Sequence, residues 1–180
     1  FYVGNPLIDE IHNHKIVFSL KSTKPIIALL PGSRKQEIEK ILPVMLSTVE
    51  NYPTYQFVIA GSNSFSKKYY ESFVKEKDVK IVFNNVYGLL SNSKFALVTS
   101  GTATLEAALF NVPQVVCYKT NWITYIFAKM LVKIKYISLV NIILNRSAVN
   151  ELIQNDLNEQ SLINAIDSAL NTHDKILKDY

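Results

Sequence analysis

Five short runs along the chain are apolar at nearly every position: "PIIALL" (25–30), "YQFVIA" (55–60), "VKIVF" (79–83), "FALVT" (95–99) and "PQVVCY" (113–118). A strand with one wet face alternates apolar and polar residues, whereas a strand covered on both faces has no reason to. The runs therefore predict a parallel sheet with helices on both sides. "YISLV" (136–140) is a weaker sixth strand candidate. Helical spacing fills the gaps. Ile38, Ile41, Leu42, Met45 and Val49 share one face, with Pro43 expected to kink that helix or mark its restart. Leu105, Ala108, Leu109 and Val112 form a second stripe, and "NEQSLINAIDSAL" (158–170) reads as a closing amphipathic helix. Strand–helix alternation without a repeat or linker predicts one Rossmann-like α/β domain over residues 1–180, with its ligand beyond the carboxyl ends of the strands.

The turns after the strands are therefore the places to look. In "LLPGSRKQEI", Gly32 permits a tight turn, Ser33 follows it, and Arg34 adds a charge that can meet an oxyanion bidentately. A ligand-free reading exists too, because Ser33 and Gln36 match an S-x-x-Q capping box. In "IAGSNS", Gly61 again follows a strand, and a plain strand-to-helix turn accounts for it equally simply. The third turn is "TSGTATLEAAL". Amides of Ser100, Gly101, Thr102 and Ala103, assisted by a helix dipole, can cradle an anion, and Ser100, Thr102 and Thr104 offer hydroxyls. Glu106 lies four residues after Thr102, so it completes no capping box with a hydroxyl residue, and it is off the apolar stripe. A ribose diol is a natural target for such a carboxylate; a surface glutamate favouring the helix dipole is the plain alternative. Neither GxGxxG nor GxxxxGK[ST] occurs.

A net charge of +4 suits an anionic ligand or an anionic lipid surface and lacks the dense positive stripe of a nucleic-acid binder. The lone Cys117 excludes a disulfide framework and reads as a buried structural thiol. No signal peptide and no apolar span of bilayer length is visible, which points to the cytoplasm. The chain opens on Phe1 rather than methionine, as expected of a piece of something longer. "HNH" (12–14) has no third ligand group or acidic motif beside it, so an exposed helix or loop is expected there and not a metal site. Within "NWITYIFAKMLVKIKYI" (121–137), Ile123, Phe127, Met130, Leu131 and Ile134 share a face, with Lys129 and Lys133 elsewhere. Such a helix either packs on the sheet or lies on an anionic membrane.

Four ordered blocks, "YVGNPLID", "LLPGSRKQEI", "TSGTATLEAAL" running on to "PQVVCYKTNWITY", and "YISLVNIILNRSAVNELIQ", closely resemble the C-terminal half of the bacterial lipid-A-disaccharide synthases. The resemblance implies a metal-independent inverting glycosyltransferase of the GT-B type, built from two Rossmann-like domains and peripheral to the inner membrane. It would join UDP-2,3-diacylglucosamine to 2,3-diacylglucosamine 1-phosphate and release UDP. Carried over by match, Gly32, Ser33 and Arg34 approach the diphosphate, with Arg34 stabilising the leaving group; Gly61, from its own turn, is counted with the UDP site. Ser100, Gly101, Thr102 and Ala103 cradle it from the other side, and Glu106 takes the ribose. Val86 and Tyr87, in the loop "NNVYGLL", hold the uracil, and Asn141, Arg146 and Glu151 line the same cleft. The general base and most of the acceptor site belong to the family's N-terminal domain, which this chain is expected to lack, so the chain alone should bind UDP without turnover. The sequence departs from the common family pattern at Asn5, Val140 and Asn145. Relatives using UDP-N-acetylglucosamine, the MurG-type transferases and 2-epimerases, are an alternative, but they favour "SGG" where this chain has "SGTAT". A non-catalytic nucleotide-binding module is the other.

Overall fold

All five apolar runs are strands, and a sixth joins them in one parallel sheet of order β3-β2-β1-β4-β5-β6. The computed structural model describes residues 18, 20, 22–121 and 135–171. "HNH", Asn5 and residues 122–134 of the basic amphipathic segment lie outside the described residues. The strands are β1 (Ile26–Leu30), β2 (Gln56–Gly61), β3 (Val79–Phe83), β4 (Ser93–Thr99), β5 (Gln114–Tyr118) and β6 (Asn150–Ile153). The helices are α1 (Lys35–Ser47), α2 (Lys67–Val74), α3 (Val86–Ser91), α4 (Ala103–Leu109), α5 (Leu139–Leu144) and α6 (Glu159–Asn171).

Both sheet faces are buried, for the reason the runs suggested. Ile27, Leu29, Phe57, Ile59, Phe95, Leu97, Val115 and Cys117 point to the side packed by α1, α2 and α6. The intervening residues Ala28, Val58, Ala60, Ala96 and Val98 point to the other side, against Leu89, Leu90 and Ala107 of α3 and α4. Cys117 is fully buried, and burial pushes its thiol pKa up.

Several sequence expectations shift. Pro43 does not restart α1, which runs through it unbroken. Pro43 faces solvent, where water can satisfy the carbonyl its missing N–H leaves open. Val49 falls just past the helix, in a 3-10 turn, and is still buried. "YISLV" is not a strand. Ser138 caps α5 by accepting from the Asn141 amide at 3.2 Å, and the sixth strand is "NELI" instead. In α4 the buried side chains are Thr104 and Ala107, while Leu109 of the expected stripe stays exposed. Leu105 and Ala108 turn toward Val140 of α5 and Val149. At Asn145 the backbone is left-handed, φ 48°, the helix-ending conformation in which asparagine is the best substitute for glycine. No helix among the described residues is long and apolar enough to cross a membrane.

Candidate functional site

The order β2-β1-β4 sets the turns after β1 and β4 side by side, because a parallel register (Leu30 opposite Val98) brings both carboxyl ends to one edge. Between them lies a cleft of about 540 Å³. Gly32, Ser33 and Arg34 form one wall; Ser100, Gly101, Thr102, Ala103 and Glu106 form the opposite wall; Gly61 and Val86 contribute from β2 and α3. Tyr87, Asn141, Arg146 and Glu151 are not among its lining residues.

The first wall is built differently from the S-x-x-Q expectation. The cap of α1 is Arg34, one residue later than Ser33, and Glu37 rather than Gln36 reaches back to it. Arg34 N–H donates to Glu37 Oε2 at 3.3 Å, and the Arg34 guanidinium donates to Oε1 at 3.0 Å. Arginine has no acceptor with which to return the bond, so only the carboxylate half of a capping box forms. Gly32 adopts φ +99°, and a Cβ there would stand 2.6 Å from Glu37 Oε2. Glu37 escapes a reading of the sequence because two capping patterns overlap one residue apart. Its position three residues after Arg34 is the signal that could have found it.

In the second wall the amides of Gly101, Thr102 and Ala103 have no acceptor among the described residues, so they are available to an anion. With only seven residues, α4 adds little dipole, and the amides themselves carry the attraction. The hydroxyls divide. Thr102 is exposed. Thr104 is fully buried and donates to the Gly101 carbonyl at 2.8 Å, so it offers the cleft nothing. Ser100 donates to the Ile137 carbonyl at 3.0 Å. Glu106 is half-buried on the cleft wall.

The remaining candidates have local structural work. A Cβ on Gly61 would stand 2.5 Å from the Phe83 ring, and the next amide, Ser62, already donates to Tyr70 Oη at 2.8 Å. "NNVYGLL" is no loop: Asn85 caps α3 by accepting from the Gly88 amide at 3.2 Å. Val86, the first residue of α3, reaches the cleft, whereas the Tyr87 ring packs on Phe110 at 5.6 Å between centroids.

Asn141 and Glu151 are a scaffold and not a cleft wall. Asn141 is fully buried; its amide donates to Val149 O at 2.9 Å and Glu151 Oε1 at 2.8 Å, and its carbonyl accepts from Ala148 and Val149. Glu151 Oε1 also accepts from Ser138 N at 2.9 Å and Ser138 Oγ at 2.6 Å, while Oε2 accepts from Ile137 N at 2.9 Å. Polar side chains satisfied by so many internal partners have little capacity left for a ligand. Arg146 is exposed beyond α5.

The fold is that of one Rossmann-like half of a GT-B glycosyltransferase. E. coli ADP-heptose lps heptosyltransferase II superposes with a TM-score of 0.59 at 14% identity, over 96% of this chain and 53% of that one. Spinosyn rhamnosyltransferase SpnG complexed with thymidine diphosphate superposes with a TM-score of 0.57 at 12% identity, over 88% and 42%. The family follows from sequence. The lipid-A-disaccharide synthetase family model matches residues 1–179, and the chain belongs to that family. Lipid-A-disaccharide synthase of Acinetobacter baylyi is 36% identical over 192 residues, covering 94% of this chain and 48% of that protein. Lipid-A-disaccharide synthase 1 of Legionella pneumophila (strain Paris) is 32% identical over 173 residues, covering 89% and 45%. The chain spans about half the length of the curated relatives it matches.

Proposed function

We propose that this chain is the UDP-sugar-binding part of a glycosyltransferase that joins UDP-2,3-diacylglucosamine to 2,3-diacylglucosamine 1-phosphate, giving lipid A disaccharide 1-phosphate and UDP. The observation that carries the reading is the pair of turns after β1 and β4, which face one cleft with three amides that have no acceptor among the described residues on one wall and Arg34 on the other. The capture of thymidine diphosphate by SpnG, a protein of the same fold, supports a diphosphate as the cleft's anion.

The chemistry is direct displacement at the anomeric carbon by an acceptor hydroxyl. Negative charge grows on the departing diphosphate, so amides of Gly101–Ala103 and the Arg34 guanidinium contribute most in the transition state. Glu106 is assigned to the ribose, whose hydroxyls can donate to it where phosphates would be repelled. No metal is assigned. The general base and the acceptor site are placed on an N-terminal domain of the whole enzyme, and the enzyme on the cytoplasmic face of the inner membrane. An acylated substrate and the basic amphipathic sequence at 121–137 favour that location; sedimentation with liposomes that ignores anionic lipid content would argue against it.

Calorimetry with UDP, UMP and uridine tests the site. A diphosphate cradle predicts a large loss of affinity from UDP to UMP. A ribose-binding Glu106 predicts that Glu106→Gln weakens all three. Equal affinity for UDP and uridine would overturn the reading.

A further inference from the structure

Ser100 begins the second wall of the cleft, yet its hydroxyl turns away and donates to the carbonyl of Ile137 at 3.0 Å. The amide of the same Ile137 donates to Glu151 Oε2 at 2.9 Å, so both polar backbone groups of that residue are committed. Glu151 stands on β6, the edge strand, with β5 between it and β4. A single hydrogen-bonded line thus runs from the sheet edge, past the end of β5, to the cleft wall.

The line has an anchor at its far end. Glu151 Oε1 accepts from the Ser138 amide, the Ser138 hydroxyl and Asn141 Nδ2, and Asn141 is in turn fixed by Val149 and Ala148. The carboxylate therefore accepts four bonds, a set that an amide side chain, with only one acceptor oxygen, could not fully match. Apolar contact runs parallel to it, since Leu105 and Ala108 of α4 pack with Val140 of α5.

We infer that Glu151 is a positioning residue for the anion cradle: it fixes the Ile137–Ser138 turn, which holds Ser100 and thereby aims the amides of Gly101–Ala103. This rests on the reading of the cleft as a UDP site, and it separates Glu151 and Asn141 from direct ligand contact.

Two readouts on the 180-residue chain test it. Glu151→Gln is expected to weaken UDP roughly tenfold, the scale of one lost charge-assisted hydrogen bond, and Ser100→Ala to weaken it as well. The double variant should be no weaker than Glu151→Gln alone, because both cut one line. Amide hydrogen exchange, which needs no nucleotide, should quicken at the hydrogen-bonded amides of Thr104, Leu105 and Glu106, just past the cradle, in either variant while β1 and β2 keep their protection. A purely structural Glu151 would quicken exchange only around residues 137–141 and leave UDP affinity of the folded protein unchanged; that result overturns the inference. If Glu151→Gln does not fold, Ser100→Ala read by exchange decides between the two outcomes. Wild-type protein that fails to bind UDP refutes the site reading, whereas tight UDP binding indifferent to Glu151→Gln refutes the positioning role.

Discussion

The Arg34 guanidinium and the Arg34 amide both donate to the carboxylate of Glu37, at 3.0 and 3.3 Å. Among the described residues Arg34 is the only lysine or arginine lining the cleft, so its charge is held by a neighbour before any ligand arrives. With its side chain 82% exposed, the pair contributes no more than about 0.5 kcal/mol, and a phosphate can displace the carboxylate. Arg34→Ala is expected to weaken UDP about tenfold or more and to leave uridine unchanged. Glu37→Gln, which keeps an acceptor for the Arg34 amide but removes the competing charge, should tighten UDP a few-fold. Calorimetry at low salt reads both; screening shrinks both effects as salt rises.

The two cleft glycines with positive φ should fail in different ways. Gly32→Ala puts a methyl 2.6 Å from Glu37 Oε2 and 3.1 Å from Thr99 Cγ2 at φ +99°, so a stability loss of about 1–3 kcal/mol is expected in urea denaturation. Gly101, at φ +156°, has nothing within 4 Å of where its Cβ would be. Gly101→Ala should cost about 1 kcal/mol of stability and show mainly as weakened UDP binding, since the methyl enters open space at the cleft wall.

Gly61→Ala is a control on the same cleft. Its methyl would meet the Phe83 ring at 2.5 Å, so overpacking should destabilise the fold by about 1–3 kcal/mol. UDP affinity measured below the melting transition should stay within a few-fold of wild type.

Asn141→Ala removes a fully buried side chain that makes four hydrogen bonds; it leaves the Val149 amide without this acceptor and the Ala148 amide with only the Arg146 carbonyl. A loss of about 3 kcal/mol or more is expected from thermal or urea unfolding.

Alkali should unfold the protein before it ionises the core. Burial raises the pKa of Cys117 above its ordinary 9.0 and those of Tyr52, Tyr69 and Tyr70 above 10.0. The unfolded chain therefore releases these protons first, and the stability they contribute, complete below the ordinary values, is lost as pH rises through the folded ones. Urea midpoints should decline above about pH 9. A thiol reagent at about pH 8 should leave native Cys117 untouched and label it in urea.

The sheet was legible because β1, β2, β4 and β5 are buried on both faces and leave little polar alternation to confuse the pattern, while β3, half-buried at one edge, still carries four apolar residues in five. The sixth was not, because β6 is a short edge strand with little apolar character: in "NELI" only Leu152 is buried. "YISLV" carried more apolar residues, yet Ser138 makes it a helix start. The two principal turns of the cleft were readable from Gly32 and Gly101 at strand ends. Glu37 and the place of Glu151 were not: two capping patterns overlap at Glu37, and the four donors to Glu151 come from the Ile137–Ser138 turn and Asn141, which spacing alone does not bring to it. Thr104 looked like one more cradle hydroxyl, and only its burial shows that it serves the Gly101 carbonyl.

β1 and β4 are neighbours in the sheet but distant along the chain, with β2 and β3 inserted between them in sequence. The two walls of the cleft therefore do not exist until this long loop has closed and the central pair has zipped. A molecule that grips both walls at once is bound only by the fully assembled sheet, so it acts as a removable cross-link across the pairing of highest sequence separation in the cleft. Partial unfolding that parts β1 from β4 must first release it, and nucleotide occupancy should slow global opening while barely touching fraying at the β6 edge.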